Sequence, residues 1–276
     1  MAAAVLDGTI WVVGGLAPGS KGSRKVQGYD PVINEWKAGP DLPTALHHEM
    51  VVTYKGELVV MGGWIPRGSD PSAIESARVY ALRNGSWHQL ASLNRPRVAG
   101  AAAVVGDRIV VVGGQSKKKL LDTTEVFDGK RWSVVANIPT AREHLAAVTD
   151  GRYVYAVGGR ALSPDKNSAA LQRYDPEANA WQKLPSMPTA RGGLGAALAG
   201  GRIFAIGGES STGVFKDVEA YDIARRKWSR ESSLGTPRHG IAAGTIGRSV
   251  YALGGGTKPG HASATGTAEV LRPAGG

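Results

Sequence analysis

Four arginines recur at one position relative to pairs of adjacent glycines, and their chemistry is that of anion recognition. Each lies 16 residues before the first glycine of a Gly-Gly pair: Arg97, Arg142, Arg191 and Arg238. A guanidinium group donates hydrogen bonds from a planar fork and therefore binds carboxylates and phosphates in a bidentate manner. Arginines repeated in successive units would encircle a common site. The series predicts binding of an acidic ligand, although hydrogen bonding between neighbouring units explains the repetition equally well.

A second set of side chains stands near the same places but does not repeat. The residues that directly follow Gly-Gly pairs include Trp64, Gln115, Arg160 and Glu209. Two histidines lie two positions after the place of the arginine series, namely His48 and His144. We therefore predict that a ligand contacts the four repeated arginines together with Trp64, Gln115, Arg160, His48 and His144.

Metal, cofactor and covalent chemistry have little support in the sequence. The six histidines show no spacing typical of a zinc site. The absence of cysteine excludes disulfides and thiolate chemistry. No Walker loop or nucleophile elbow is present, because each glycine pair ends a strand and does not open a helix. We expect no metal ligands and no cofactor.

The glycine pairs define the elements that must position these residues. Six pairs begin at Gly14, Gly62, Gly113, Gly158, Gly207 and Gly254, at intervals of 45 to 51 residues. Such a period indicates one structural unit copied along the chain. Each pair closes a short β-branched run, which is typical of a strand. An aromatic residue and then a tryptophan follow, separated by turn-forming residues, so each unit holds four short strands, here called A to D.

Four-stranded units of this kind predict an all-β, six-bladed β-propeller in which the last blade lacks its fourth strand. We expect one domain with blades at about 1–41, 42–92, 93–138, 139–187, 188–234 and 235–276. The antiparallel order places the start of strand A, the end of strand B and the start of strand C at one face. The predicted ligand residues meet there, at the mouth of the central channel, beside variable B-to-C loops.

The motifs at this point resemble those of the Kelch repeat family. Gly-Gly is followed by Tyr-Asp-Pro-x-x-Asn-x-Trp at 29–36 and 174–181, and by Thr-Ala-Arg at 140–142 and 189–191. The resemblance covers essentially the whole chain. It implies a propeller fold strongly and a function only weakly, because one scaffold hosts many sites.

Two functions follow from the resemblance. The first is non-catalytic binding of an acidic peptide, glycan or small anion at the channel mouth, as the sensor or scaffold module of a larger bacterial protein. The alternative is a sialic acid-type mutarotase with Glu209, Arg191 and Arg238 as its catalytic residues. Copper-radical oxidases of this fold need a cysteine-tyrosine cross-link, which this chain cannot form.

Composition and chain ends add context. The net charge of +10 permits contact with nucleic acid, but the basic residues are spread over all units and disfavour that partner. No apolar run approaches the roughly 18 residues of a membrane span. No secretion signal is visible, which favours the cytoplasm and leaves the compartment open. Because the missing strand D would precede Met1, we expect the chain to be part of a longer protein, which would also permit an extracytoplasmic location.

Overall fold

The computed structural model describes residues 1–17, 21–68, 70–261 and 263–273, with the backbone only for 71–73. The described elements are strands, apart from one 3-10 turn, and they form six radially arranged blade sheets and four two-stranded hairpins. Five blade sheets have four antiparallel strands and the sixth has three. The predicted fold class is therefore confirmed, including the short last blade.

The first three blades each contain a small hairpin between their second and third main strands. Blade 1 comprises β1 (Ala2–Leu6), β2 (Thr9–Val13), hairpin strands β3 (Leu16–Ala17) and β4 (Lys21–Gly22), β5 (Val26–Asp30) and β6 (Glu35–Ala38). Blade 2 comprises β7 (Met50–Tyr54), β8 (Glu57–Met61), hairpin strands β9 (Trp64–Arg67) and β10 (Asp70–Glu75), β11 (Val79–Arg83) and β12 (Ser86–Leu90). Blade 3 comprises β13 (Ala101–Val105), β14 (Arg108–Val112), hairpin strands β15 (Gln115–Ser116) and β16 (Lys119–Leu120), β17 (Thr124–Phe127) and β18 (Trp132–Val135).

The remaining blades repeat this plan with different loops. Blade 4 comprises β19 (Ala146–Thr149), β20 (Val154–Val157), the 3-10 turn Pro164–Lys166, β21 (Leu171–Asp175) and β22 (Ala180–Leu184). Blade 5 comprises β23 (Gly195–Ala199), β24 (Arg202–Ile206), hairpin strands β25 (Glu209–Ser210) and β26 (Gly213–Val214), β27 (Val218–Asp222) and β28 (Lys227–Arg230). Blade 6 comprises β29 (Ala242–Ile246), β30 (Ser249–Leu253) and β31 (Ala268–Leu271).

The innermost strands form a closed ring around the channel. Strands β1, β7, β13, β19, β23 and β29 contact one another in that order, and β29 contacts β1. Buried side chains of adjacent sheets interdigitate between the blades, as Val59 of blade 2 and Val111 of blade 3 do in one apolar cluster. The ring is therefore held by inter-blade cores and brings the six starts of strand A to one end of the channel.

The double glycines connect each blade to the next. The second glycine donates its N–H to a backbone carbonyl at the start of the following blade, as Gly63 does to Arg97 O at 2.9 Å. A Cβ atom on Gly62 would lie 2.4 Å from that same carbonyl oxygen, and the φ of Gly62 is +69°. Only glycine combines this close approach with a left-handed conformation. The period seen in the sequence is therefore the period of these inter-blade contacts.

Candidate functional site

A cavity of about 480 Å³ occupies the channel mouth, where the inner strands begin. Ligand-binding cavities commonly have volumes of roughly 300–1,000 Å³. Its wall includes His47, His48, His144, His239 and His261. This cavity, with the loops around its opening, is the candidate site.

A ring of backbone hydrogen bonds shapes the wall of the cavity. Before inner strands β13, β19, β23 and β29, the residue two positions earlier donates its N–H to the equivalent carbonyl of the preceding blade, as in Ala99 N to His48 O at 2.9 Å and His144 N to Ala99 O at 2.8 Å. His48, Ala99 and His144 all have φ between +52° and +57°, the left-handed region. The ring continues through Gly193 and Gly240. These contacts turn the side chains of His48 and His144 into the cavity wall.

The residues after the double glycines also reach the mouth. Each forms an antiparallel bridge with the residue three positions before an inner strand; these bridges are His47–Trp64, Val98–Gln115, Glu143–Arg160, Gly192–Glu209 and His239–Gly256. The structure therefore brings together four of the predicted residues, namely Trp64, His48, His144 and Arg160, and it places Gln115 at the same end of the channel beside Val98. Their contact with a ligand stays a prediction.

The four repeated arginines lie at the same end of the channel but turn away from it. Arg97, Arg142, Arg191 and Arg238 are at most 1% exposed. Arg97 donates to Gly113 O at 2.5 Å and to Glu125 Oε1 at 2.8 Å, while its own carbonyl accepts from Gly63 N. The arginine thus joins the glycine pairs of two adjacent blades. This geometry corrects the expectation that these arginines line the mouth, since their guanidinium groups are used inside the blades.

Each repeated arginine donates to a side chain of strand C in its own blade, and the blade that lacks the arginine also lacks this acceptor. Strand C supplies the partner in each case, buried in the first three and partly exposed in the last: Glu125 for Arg97, Gln172 for Arg142, Glu219 for Arg191 and Glu269 for Arg238. Blade 2 has Leu46 at the arginine position and Tyr80 at the strand C position, two residues that need no ion pair. Because Arg142 has an uncharged partner, burial lowers its pKa to about 10. Because the arginine and its acceptor are both replaced in blade 2, the role of the four arginines is structural.

Arg160 is the one predicted arginine whose guanidinium group lies near the cavity. Its Nε donates to Glu143 Oε1 at 2.8 Å and its Nη1 donates to Glu209 Oε1 at 2.7 Å. Its Nη2 lies 3.2 Å from His144 Nε2. One guanidinium group therefore faces two buried carboxylates, so this part of the mouth carries no excess positive charge.

The alternative catalytic set does not form an open acid–base site. Glu209 is buried, and its carboxylate accepts from Arg160 and from Gly260 N at 2.9 Å. Arg191 and Arg238 bind Glu219 and Glu269 inside their own blades. Glu209 therefore lines the cavity, whereas the side chains of Arg191 and Arg238 do not reach it. The expectation that these three residues could act together on one substrate is corrected.

Several imidazole groups cluster in the cavity. His48 and His144 have ring centroids 4.9 Å apart, and His48 and His261 have centroids 5.6 Å apart. His47 Nδ1 and His48 Nδ1 lie 2.6 Å apart, so one of them donates and the other accepts. Burial, and then neighbouring positive charge, holds the pKa of His48 and His144 well below 6.5. The two rings are therefore uncharged at neutral pH.

A buried carboxylate at the bottom of the mouth was not predicted. Glu49 lines the cavity and is 5% exposed. Neither of its carboxylate oxygens accepts a hydrogen bond within the described residues. Burial raises its pKa above the usual 4.5.

Sequence reasoning also missed His47, Glu143, His239 and His261, which the structure places at the mouth. A signal for three of them was available. His47, Glu143 and His239 occupy the same position in their repeats, 15 residues before a glycine pair. Glu49 likewise lies 13 residues before Gly62, where other units have apolar residues. Comparing the units position by position would have found these exceptions.

Among the described residues, no group of three or more histidine or acidic side chains is arranged to hold a metal ion. The only helix that the described residues form is the 3-10 turn Pro164–Lys166, which is far too short to cross a membrane.

Comparison with known proteins agrees with this architecture. The profile of the Attractin/LZTR1 beta-propeller family matches residues 10–265. The chain is 27% identical to human Kelch-like protein 38 over 173 residues, which is 62% of this chain and 29% of that protein. It is 29% identical to human Kelch-like protein 34 over 162 residues, 54% of this chain and 25% of that protein. Kelch repeat protein M-T8 of Myxoma virus is 27% identical over 162 residues, 57% of this chain and 31% of that protein. The chain thus spans less than a third of the length of these relatives. The matches confirm the resemblance to Kelch-repeat propellers.

Proposed function

Because the chain belongs to the Attractin/LZTR1 β-propeller family, we propose that it is a non-catalytic protein-binding module. Its partner presents an acidic segment to the channel mouth. The observation that carries this proposal is the charge of the B-to-C loops around the cavity opening, which we call the basic rim. The rim consists of the described residues 14–17, 21–25, 62–68, 70–78, 113–123, 158–170, 207–217, 254–261 and 263–267.

The rim has a marked excess of positive charge. It contains twelve lysine and arginine residues and six carboxylates. The turns at the opposite end of the propeller contain seven lysine and arginine residues and five carboxylates. Most of the basic rim side chains are exposed, as Lys117, Lys118 and Lys119 are in the blade 3 hairpin. Exposed charge of one sign steers an oppositely charged partner toward the face that carries it.

The arrangement of the rim loops supports binding of an extended segment. Glu75 of blade 2 accepts hydrogen bonds from Ser116 Oγ and Lys117 N, so the hairpins of blades 2 and 3 are joined. Variable loops fixed on a rigid scaffold are where specificity usually lies. A role as the sensor or scaffold part of a larger bacterial protein stays a prediction.

The test is a charge reversal on the rim. A fluorescein-labelled peptide of alternating glutamate and serine should bind the wild-type chain at about 50 mM NaCl, and binding should weaken at least about tenfold at about 500 mM NaCl. Replacing Lys117, Lys118 and Lys119 with glutamate should also weaken it at least about tenfold, roughly 1.4 kcal/mol. The measurement is fluorescence anisotropy.

The matched control carries the same change at the opposite end. Lys55, Lys130 and Arg131 lie in turns of blades 2 and 3 at that end and are exposed. Replacing these three with glutamate should leave the peptide affinity within about twofold of wild type, since they lie beyond a Debye length of about 8 Å from the rim. A control variant that loses binding as strongly as the rim variant would contradict the proposed face.

A further inference from the structure

We infer that the cavity within the basic rim receives one cationic side chain, a lysine or arginine of the partner's acidic segment, with the Glu49 carboxylate as its counter-charge. This inference rests on the proposed function and specifies the chemistry that the mouth recognises. The rim charges alone could attract an acidic segment, so Glu49 has a separate role, which is to bind the basic side chain within that segment.

The first observation is that Glu49 is buried without a partner. Its side chain lines the cavity, and both carboxylate oxygens lack a hydrogen-bond partner within the described ranges. On one side it packs against Gly14, where an added Cβ would lie 3.0 Å from Oε1. A buried polar group without a partner is strongly unfavourable. A cation in the cavity would remove that penalty.

The second observation is that the surrounding groups do not neutralise Glu49. The rings of His48 and His144 are uncharged at neutral pH, as shown above. Arg160 already faces the carboxylates of Glu143 and Glu209. The terminal ammonium group of Met1 and the backbone N–H groups of Glu49, Gly15 and Ala2 lower the pKa of Glu49, but burial has the larger effect and raises it. Glu49, Glu143 and Glu209 carry three negative charges against the two positive charges of Arg160 and the Met1 ammonium, so the interior of the mouth has an excess of one negative charge beneath a positive rim.

The third observation is that the fold does not require a carboxylate at this position. The equivalent residues of blades 4, 5 and 6 are Leu145, Leu194 and Ile241, and each of them also lines the cavity. An aliphatic side chain evidently satisfies the packing at this level of the channel. Glu49 is therefore a departure specific to blade 2, on the wall of a cavity large enough for a ligand.

The source of the cation follows from the two layers of charge. The six-charge excess of the rim disfavours the approach of a free small cation to the cavity opening. An acidic segment is attracted by the same rim and would carry its own lysine or arginine to the opening. The cavity of about 480 Å³ has ample room for one such side chain. The partner that fits both layers is an acidic segment with a single central basic residue.

The experiment has a peptide arm and a small-molecule arm. The peptide arm compares two acidic glutamate-serine peptides that differ only in a central lysine or methionine. The wild-type chain should bind the lysine peptide at least about tenfold more tightly, and Glu49→Leu should abolish that preference. Glu49→Leu installs the residue of blades 4 and 5, so folding should be retained. Glu49→Gln keeps the shape of the side chain and should give the same loss.

The small-molecule arm is run at about 500 mM NaCl, where the rim charges that disfavour a free small cation are largely screened. Ligand-observed NMR should detect n-butylammonium bound to the wild-type chain, with no comparable signal for n-butanol or butyrate. The signal should fall at least about tenfold in Glu49→Gln and be unchanged in Glu177→Gln, whose side chain is 85% exposed and far from the mouth.

The outcomes separate the two proposals. Equal binding of the lysine and methionine peptides to the wild-type chain would overturn the cation site and leave the acidic-segment proposal intact. Failure of both peptides to bind would overturn the acidic-segment proposal, and the butylammonium signal would then decide the cavity site alone. Butylammonium binding that is the same in wild type and Glu49→Gln, or absent from both, would overturn the assignment of Glu49.

Discussion

Replacing Arg97 with methionine should destabilise the propeller without acting through the ligand site. Arg97 donates to two backbone carbonyls, those of Gly113 and Thr123, and to Glu125. Arg97→Met would leave the Glu125 carboxylate, which is 1% exposed, with the N–H of Asn94 as its remaining donor. Removing one partner of a buried ion pair typically costs about 3–5 kcal/mol. With a slope of about 3 kcal/mol per molar urea or somewhat more, the unfolding midpoint should fall by roughly 1 M.

A double variant and a surface control make this prediction specific. Arg97→Met combined with Glu125→Leu removes both charges, and it should recover more than about half of the lost stability because no orphan carboxylate remains. Arg108 of blade 3 forms an exposed pair with Glu177 of blade 4 at 3.6 Å, and Arg108→Met, which removes this pair, should cost at most about 1 kcal/mol. The measurement is urea unfolding followed by tryptophan fluorescence. An Arg97→Met variant as stable as wild type, but unable to bind the acidic peptide, would refute the packing role.

Two further predictions concern protonation and the glycine contacts. Acidification from about pH 7 to about pH 5 should lower the free energy of unfolding by up to about 1.4 kcal/mol per pH unit for each of His48 and His144, because the unfolded chain binds protons that the buried rings do not. Glu49 has a raised pKa, so acidification between its folded and unfolded pKa values increases the free energy of unfolding and opposes the histidine effect. Urea unfolding is therefore best measured as a function of pH in the Glu49→Leu variant. A free energy of unfolding that stays constant or rises on acidification of that variant would contradict the prediction. Gly62→Ala would place a Cβ atom 2.4 Å from a carbonyl oxygen, whereas Gly85→Ala, at a residue that also has a positive φ, would place it in open space. The free energy of unfolding should therefore fall by about 1–3 kcal/mol more in Gly62→Ala than in Gly85→Ala. Equal thermal stabilities of the two variants would count against the proposed inter-blade contact.

The blade plan was predictable because its determinants are local and repeated. The Gly-Gly pairs mark the end of strand B in every blade, and the turn residues mark the hairpins. Strand direction then follows from antiparallel pairing, which predicts that Trp64, Gln115 and Arg160 lie at the end of the channel where the inner strands begin, and each of them bridges to a residue three positions before an inner strand. The three-stranded last blade was predictable for the same reason, since the order of strands alone decides it.

The direction of individual side chains at the mouth was not predictable in the same way. Arg97 and Val98 are neighbours, yet only the position of Val98 bridges to the mouth loop, while Arg97 turns into the blade. The spacing of residues along the sequence does not indicate which of two adjacent residues faces the channel. The buried partner Glu125 follows 28 residues later, and pairing the two positions across units would have revealed the ion pair.

The cavity itself arises from long-range closure of the ring. His48 and His144 come from blades 2 and 4, and their ring centroids lie 4.9 Å apart only because the inner ring brings them together. The unpaired state of Glu49 depends on all of its neighbours at once, including Gly14 from blade 1. Such a site cannot be found from one repeat, because no single repeat contains it.

The decisive measurement for the basic rim and the cation site beneath it is a crystal structure of the propeller with the lysine-containing acidic peptide bound. We expect peptide density across the basic rim, with carboxylates near Lys117 to Lys119 and the lysine ammonium within hydrogen-bonding distance of Glu49. Density on the outer strands, or at the end of the channel that carries Lys130 and Arg131, would contradict this expectation.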